Sequence, residues 1–357
     1  MLDDRKKKIL QAIVEEYIGS AEPVSSKTLV EDYDLNYSSA TIRNEMAELE
    51  KSGYLDKPHT SSGRVPSAEG YRYYVNELIS NNNISLNEIK YIKSQLEKKI
   101  NQIEDLTKIT TSTLSEITHY TSVGIAPRME NQEIKEIKFV LLGSNILMAI
   151  IYTMQGLIKE TIIRFDEDIS EKQVKTLTTI FNNKLAGKPL TEITTPFEEY
   201  LFEQMDSIVK VVKSIVEQLK RVIEEDSVVY MEGTDKTFEL PEFQKIDTAK
   251  NFMTILDSAK KNKITALIES KNDIVDEDVN VYISDDSDDS EYKDFSIVTL
   301  KNEIEGEDLG TIAVIGPKRM DYSKVISAMK FVKEELRSKG KNKNKEAKQK
   351  NKGDESK

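Results

Sequence analysis

The sequence SSATIRNEMAELE, residues 38–50, decides the fold of the N-terminal region. Its apolar residues Ile42, Met46 and Leu49 stand at positions i, i+4 and i+7, which predicts one buried stripe on a helix over residues 38–52. Ser38 is the expected N-cap, because a serine hydroxyl accepts a hydrogen bond from a free N–H of the first helical turn. The face opposite the stripe carries Ala40, Thr41, Arg43, Asn44, Ala47 and Glu48.

This outward face has the composition of a helix that contacts bases in the DNA major groove. Small residues let the backbone approach the base edges, arginine can bond guanine O6 and N7, and asparagine can bond adenine N6 and N7. The acidic residues come later, where a docked helix would leave the groove. A capped helix that never touches DNA accounts for the same serine-rich start, so this helix alone leaves the function open. The expected base contacts are Ser38, Ser39, Thr41, Arg43 and Asn44.

Two shorter helices are expected before this one. An apolar stripe over residues 9–18 predicts the first, which should stop near Gly19, because glycine accepts the left-handed conformation. The second helix begins after a serine cap and points two apolar residues inward. Its candidate caps are Ser25 and Ser26, and its expected inner residues are Leu29 and Val30.

A hairpin is predicted after Gly53, which ends the third helix. Residues 54–57 and 64–66 can pair around a tip whose hydroxyl residues and glycine would let backbone N–H groups approach phosphate. Together with the three helices, the hairpin predicts a winged helix-turn-helix over residues 1–80. A polar hairpin without DNA contact is the alternative. The expected backbone contacts are Lys27, Lys57, His59, Thr60, Ser61, Ser62, Gly63, Arg64 and Arg72.

Length, charge and composition narrow the class of protein. A chain of 357 residues predicts two or three domains. The net charge is −12, and residues 1–75 carry ten Lys/Arg against thirteen Asp/Glu, but a specific DNA-binding protein needs only a local basic footprint. The absence of cysteine excludes disulfides, thiolate zinc sites and thiol nucleophiles. With no run of about 18 apolar residues and no apolar stretch behind a basic start, we expect no membrane span, no secretory signal and a cytoplasmic location.

The remaining chain alternates helical and strand patterns, so the fold class is α+β multidomain. Residues 85–118 show an apolar spacing near 3.5, which fits either a helix docked on its own domain or a dimer seam. Strands are expected over 134–165, helices over 170–224, both kinds after 227, and a helix over 321–337. The acidic stretch 276–294 predicts a solvated loop, and the Lys-rich tail 338–357 predicts disorder.

Several strings resemble the HrcA family of heat-inducible transcription repressors. They are residues 38–50, GYL at 53–55, HTSSGRVP at 59–66 and GYRYYV at 70–75. A weaker similarity extends to LGTIAVIGPKRMDY at 309–322, so the resemblance covers most of the chain.

The resemblance implies an organisation and a function. It implies a GAF-like α/β regulatory domain made of residues 85–130 and 225–337, interrupted by an inserted α+β dimerisation domain at 133–224. It implies a homodimer that binds an inverted-repeat operator in double-stranded DNA and represses chaperone operons. A GroE-type chaperonin is the implied protein partner.

Enzymatic and metal-dependent chemistry finds no support in the sequence. His119 has no neighbour at metal-ligand spacing and is expected to be a structural histidine, while the acidic run 285–291 lacks the turn glycine and terminal Glu of a calcium loop. With two histidines and no phosphate-binding glycine loop, we expect no catalytic residue, no metal and no cofactor. The alternative function is an oligomeric protein-interaction module that uses the winged helix as a protein contact.

Overall fold

The computed structural model describes residues 2–33, 35–58, 63–79, 84–96, 103–127, 132–154, 156–204, 208–224, 228–260, 273–274, 279–285, 293–304 and 307–354. In these ranges the helices and strands form three units. An N-terminal head covers residues 2–79. A six-stranded sheet with its helices is built from the chain on both sides of residues 132–224, which form a three-stranded sheet with helices of its own.

The secondary structure has the following bounds. The helices are α1 (Asp4–Ser20), α2 (Ser26–Asp32), α3 (Ser39–Lys51), α4 (Ala68–Tyr73), α5 (Leu86–Leu96), α6 (Ile103–Thr118), α7 (Glu171–Leu185), α8 (Thr195–Gln204), α9 (Val209–Glu224), α10 (Thr234–Phe238), α11 (Ile246–Lys260) and α12 (Tyr322–Asp354). The strands are β1 (Leu55–Asp56), β2 (Val65–Pro66), β3 (Thr121–Ile125), β4 (Ile134–Gly143), β5 (Ile146–Thr153), β6 (Ile158–Arg164), β7 (Val229–Glu232), β8 (Asp273–Ile274), β9 (Val279–Ile283), β10 (Phe295–Ile304) and β11 (Glu307–Pro317). A π-helical turn, Tyr74–Leu78, extends α4, and 3-10 turns lie at Leu190–Glu192 and Pro241–Gln244.

Helix α3 and the strands after it lie at the residues where the sequence pattern predicts them. Ile42, Met46 and Leu49 are the buried residues of α3, and they join the apolar face of α1 in one core. The Ser38 hydroxyl accepts a hydrogen bond from the N–H of Thr41, as a helix cap does. Strands β1 and β2 pair antiparallel directly after α3, so the hairpin is anchored to the helix that precedes it.

Two details of the head differ from expectation. Helix α1 ends at Ser20, near Gly19 as expected, but the left-handed residue after it is Ala21, with a φ of 57° and its N–H donated to the carbonyl of Tyr17. Val30 is 43% exposed while Leu29 is fully buried. Adjacent residues of a helix point about 100° apart, and α2 is oriented so that Leu29 rather than Val30 faces the core.

The six-stranded sheet joins two separated chain segments. Its strand order is β7-β3-β11-β10-β9-β8, with every neighbouring pair antiparallel. Strand β3 precedes the three-stranded unit, whereas the other five strands follow it. One face of the sheet packs on α5, α6 and α12, and the other packs on α10 and α11.

The periodic stripe of residues 85–118 is docked within its own chain. It forms two helices, and their buried residues Ile92, Leu96, Leu114 and Ile117 pack in the same core as α12. Ion pairs Lys93–Glu335 (3.3 Å) and Lys324–Glu88 (2.9 Å) flank that contact. Of the two interpretations left open by the spacing, the docked helix is the one that this structure contains.

The three-stranded unit has one covered sheet face. Strands β4, β5 and β6 form an antiparallel meander, and α7 and α9 pack on one side of it. Phe139, Phe181 and Phe197 stack edge to face in its core, with successive ring centroids 5.0 Å apart. The predicted strands over 134–165 and helices over 170–224 are therefore confirmed.

Two compositional expectations differ from the structure. The acidic stretch 276–294 contains the buried strand β9, because alternating Val279, Val281 and Ile283 fill the sheet face between two other strands. The tail expected to be disordered continues α12 as far as Asp354. Lysine, glutamine, glutamate and alanine are good helix formers, and no proline follows Pro317 to interrupt the helix. Within the described part of the chain, no helix has the length and apolar content that a bilayer crossing requires.

Candidate nucleic-acid interface

The outward face of α3 is exposed in the folded chain. Ala40, Arg43, Asn44 and Ala47 are all exposed on the side opposite the buried stripe. Within the described residues, Arg43 and Asn44 have no hydrogen bond or ion pair to another side chain. The side chains of Arg43 and Asn44, with the short residues Ala40 and Ala47 on the same face, are therefore available to a partner outside this chain.

The hydroxyls of the three serine and threonine residues expected to contact bases already have hydrogen-bond partners within the protein. The hydroxyls of Ser38 and Thr41 lie 2.9 Å apart and bond to each other at the start of α3. The Ser39 hydroxyl lies 3.0 Å from that of Ser26, so it ties α3 to α2. Arg43 and Asn44 are consequently the better-placed members of the expected base-contacting set.

The hairpin is held against the segment between α1 and α2. Val24 and Arg64 exchange two backbone hydrogen bonds of 2.9 Å, which form an isolated antiparallel β-bridge beside β2. Lys57 is exposed at the end of β1 and has no partner in the part of the chain that the structure describes. Lys27 is exposed on α2, with its Nζ 3.5 Å from Glu31. The expected tip contacts His59, Thr60, Ser61 and Ser62 lie outside the described residues.

Replacing Gly63 with alanine should detach the hairpin from the backbone of Val24. A Cβ at residue 63 would lie 2.2 Å from the Val24 carbonyl oxygen, which is backbone and cannot swing away. Overpacking of this kind costs about 1–3 kcal/mol, so urea unfolding should show that loss. Gly19→Ala is the matched control, because nothing lies within 4 Å of its Cβ position and alanine favours a helix. Equal stability of the two variants would contradict this steric account.

Arg64 and Arg72, which are both expected to contact phosphate, have bonding partners within the protein. The Nε of Arg64 lies 2.7 Å from Glu50 Oε2 on α3, and its side chain is only 17% exposed. Arg72 donates from Nη2 to the carbonyl of Ile283 and to the carboxylate of Asp285, both at 2.8 Å. Arg72 therefore lies between the head and the six-stranded sheet, where it docks one on the other.

A second arginine strengthens this docking from the sheet side. Arg319 donates from Nη1 to the carbonyl of Ile18 near the end of α1, at 2.8 Å, and it also bonds Glu242. The rings of Tyr71 and Tyr322 pack across the same boundary, with centroids 5.8 Å apart. The head is thus fixed to the sheet by contacts that leave the outward face of α3 free.

The carboxylates of α3 are all paired with cations from other elements. Arg5 Nη1 lies 3.1 Å from Glu45, and Lys6 Nζ lies 2.9 Å from Glu48. Lys6 also lies 3.3 Å from Glu45 Oε2, an ion pair without hydrogen-bond geometry, and 3.2 Å from Asp3. The hydrogen bond to Glu48 is the main reason that the pKa of Lys6 rises above its ordinary value.

The sequence pattern did not indicate that Arg5 and Lys6 pair with the glutamates of α3. They belong to the basic run RKKK at residues 5–8, whose proximity to α3 depends on how α1 crosses it. Arg5 also lies over the ring of Tyr37, 5.3 Å from the centroid, next to the start of α3. The basic run was the one available signal, and by itself it does not name a partner.

Comparison with known proteins decides the family. The model of the HrcA protein C-terminal domain matches residues 104–326. The heat-inducible transcription repressor HrcA of Ruminiclostridium cellulolyticum is 35% identical over 94% of this chain and 97% of its own length. The chain belongs to the HrcA family. The HrcA repressors of Alkaliphilus metalliredigens and Bacillus pumilus are similar as well, with 36% identity over 95% of this chain and 99% of theirs, and 33% over 94% and 97%.

A solved structure shares the fold of this HrcA family member. It is a crystal structure described as that of a hypothetical protein, and it covers 95% of this chain and 98% of its own with a TM-score of 0.65. The identity is 22%, so the likeness concerns the fold alone.

In this HrcA family member the three-stranded sheet presents an apolar face to solvent. This outer sheet face includes Lys138, Val140, Leu142, Met148, Ile150, Tyr152, Ile158, Glu160 and Ile162, and Glu136 lies 3.3 Å from Lys138 at its edge. Val140, Met148 and Ile162 form one row across the three strands, and Val140 and Ile162 are 42% and 49% exposed. In the next row, Lys138 on β4 and Glu160 on β6 flank an isoleucine.

No metal centre is assembled in the described part of this HrcA chain, where no three His, Cys, Asp or Glu side chains converge. His119 is exposed, and it takes a left-handed conformation, with a φ of 60°, directly after α6. Its place in the fold is the turn that leads from α6 into β3.

Proposed function

We propose that the chain is a sequence-specific DNA-binding repressor of heat-shock operons that binds an inverted-repeat operator as a homodimer. Membership of the HrcA family supports this, since the relatives are named as heat-inducible transcription repressors. The observation that carries the proposal is the outward face of α3, where Arg43 and Asn44 are exposed between alanines. We propose that α3 is the recognition helix of a winged helix-turn-helix.

The proposed contacts divide into base contacts and phosphate contacts. Arg43 and Asn44 can donate to base edges in the major groove, and Ser38, Ser39 and Thr41 lie at the same end of the recognition helix. Lys57, Gly63 and the hairpin tip would meet the sugar–phosphate backbone. Phosphate contacts supply affinity on any sequence, whereas the base contacts supply the preference for the operator.

The outer sheet face is the proposed dimer interface. An exposed apolar patch rimmed by charges marks an interaction surface. With a two-fold axis that runs along β5, Lys138 of one copy would face Glu160 of the other, so the face is complementary to itself. One copy supplies one recognition helix, and two symmetry-related helices match the two arms of an inverted repeat.

The other proposed features follow from the family. The six-stranded sheet with its helices is proposed to be the GAF-like regulatory domain, assembled from residues 85–130 and 225–337 around the insert at 133–224. A GroE-type chaperonin is the proposed protein partner. Binding to chromosomal operators would place the protein in the cytoplasm.

A mobility-shift titration tests the function directly. The full chain is titrated onto double-stranded DNA from upstream of its own gene, and onto a scrambled duplex of the same length, over a range of salt concentrations. We expect a tighter shift on the upstream DNA, a footprint with two inverted arms, and affinity that falls steeply with salt. An absent or salt-insensitive shift would contradict the proposal and favour a protein-interaction module.

Lys57→Ala should weaken binding to operator and scrambled DNA by the same factor. Lys57 is exposed on the hairpin and offers a point charge to phosphate, which carries no sequence information. The slope of log affinity against log salt should fall in magnitude by about 0.9 for one lost phosphate contact. Lys172→Ala, an exposed lysine on α7, is the control with the same charge change. A loss confined to the operator would assign Lys57 to a base instead.

A further inference from the structure

Glu45 and Glu48 of α3 adjoin its proposed base-contacting residues. Glu48 stands four residues after Asn44, and Glu45 stands four residues after Thr41. Residues four apart on a helix are surface neighbours, with Cβ atoms about 5–6 Å apart. Each carboxylate therefore lies one turn from a residue that is proposed to contact bases.

Unpaired carboxylates at these positions would oppose DNA binding. The recognition helix and its caps, residues 38–52, carry three glutamates against Arg43 and Lys51. Phosphates line both edges of the major groove, and charges interact over about 8 Å at physiological ionic strength. A recognition helix with an excess of negative charge would be repelled as it enters the groove.

Cations from outside α3 remove this excess. Arg5 lies 3.1 Å from Glu45, Lys6 lies 2.9 Å from Glu48, and Arg64 lies 2.7 Å from Glu50. With these three, the cluster holds five cations against the three glutamates and Asp3, which also contacts Lys6. The pairing changes the sign of the charge that α3 presents to a groove.

We propose that Arg5 and Lys6 are positioning residues for DNA recognition, which neutralise Glu45 and Glu48 so that Asn44 and its neighbours can approach the bases. This inference rests on the proposed function. The Lys6–Glu48 pair contributes little to folding stability, because the Glu48 side chain is 64% exposed, so solvent screens the pair, and ordering long side chains costs entropy. The effect of Lys6 and Arg5 is therefore on DNA binding, and it is exerted through the two glutamates.

A double-mutant cycle on the full chain tests the role of Lys6. Lys6→Met, Glu48→Gln and the double variant are each titrated with operator DNA, and thermal unfolding is recorded for all three. Lys6→Met should weaken operator binding about 10-fold, because it leaves Glu48 unpaired beside Asn44. The double variant should regain affinity to within about 2-fold of the parent, since the repelling charge is gone. The unfolding temperatures should stay within a few degrees of each other.

Lys8→Met is the matched control, because Lys8 is exposed on α1 and has no partner in the described residues. Combining it with Glu48→Gln should give effects that simply add.

A Lys6→Met loss that persists in the Glu48→Gln background would overturn the inference and make Lys6 a direct phosphate contact. A loss that follows a lowered unfolding temperature in both Lys6 variants would overturn it in favour of a structural role. A parent chain that fails to bind operator DNA would overturn the proposed function as well, whereas a parent that binds isolates the failure to this inference.

Discussion

Arg43→Ala is expected to weaken binding to operator DNA by about 1–3 kcal/mol, roughly 5- to 150-fold, and to change binding to scrambled DNA much less. The Arg43 guanidinium is exposed on α3, and the alanines at 40 and 47 leave room for the helix to approach a base edge. A bidentate arginine distinguishes guanine from the other bases, so its removal should also relax the preference at one operator position.

The stability of the Arg43→Ala variant separates binding from folding. Since Arg43 makes no contact with another described side chain, the unfolding temperature should not change beyond about 2 °C. Lys51→Ala is a suitable control, because it removes a cation from the far end of the same helix. Equal losses on operator and scrambled DNA would count against base recognition by Arg43.

Ile162→Asp should dissociate the dimer and lower operator affinity by about 100-fold or more. Ile162 is 49% exposed in the apolar row of the outer sheet face, so the isolated chain tolerates a polar residue there. In a two-fold interface each substitution acts twice, and it places unpaired carboxylates where apolar surface was buried. Two linked recognition helices gain about 10²- to 10⁴-fold over one, and a monomer loses that gain.

Sedimentation velocity over a range of protein concentrations measures the dimer, and the same samples can be titrated with operator DNA. Thr179→Asp is the control, because Thr179 is exposed on α7, on the covered side of the sheet. Its dimer and its operator affinity should match those of the parent. If the Ile162→Asp variant remains dimeric with an unchanged circular dichroism spectrum, the dimer interface lies elsewhere on the chain.

Short-range sequence patterns were sufficient to predict the features in which each residue's role depends on its close neighbours in sequence. The stripe of Ile42, Met46 and Leu49, the cap at Ser38 and the pairing of β1 with β2 all follow from spacings of a few residues. The strands of the three-stranded unit were visible for the same reason, because tight turns join them. Composition was a weaker guide, since the alternating apolar residues of β9 lie inside an acidic stretch.

The partners of the charged residues could not be found in this way. Asp285 lies 213 residues from Arg72, and Glu45 lies 40 residues from Arg5, so no local spacing links either pair. The sequence predicts a contact between Arg72 and the DNA backbone. In the fold, α4 directs Arg72 toward the six-stranded sheet. The same long-range folding brings Lys6 to Glu48.

By itself, the sequence determined which helix has one apolar side and one side able to meet DNA, because helical periodicity is a local property of the chain. Only the tertiary structure decided which cations remain free on that side and which are bound within the protein. Charges act through space over several ångströms, and the distances between them are set by the packing of α1, the hairpin and the sheet around α3.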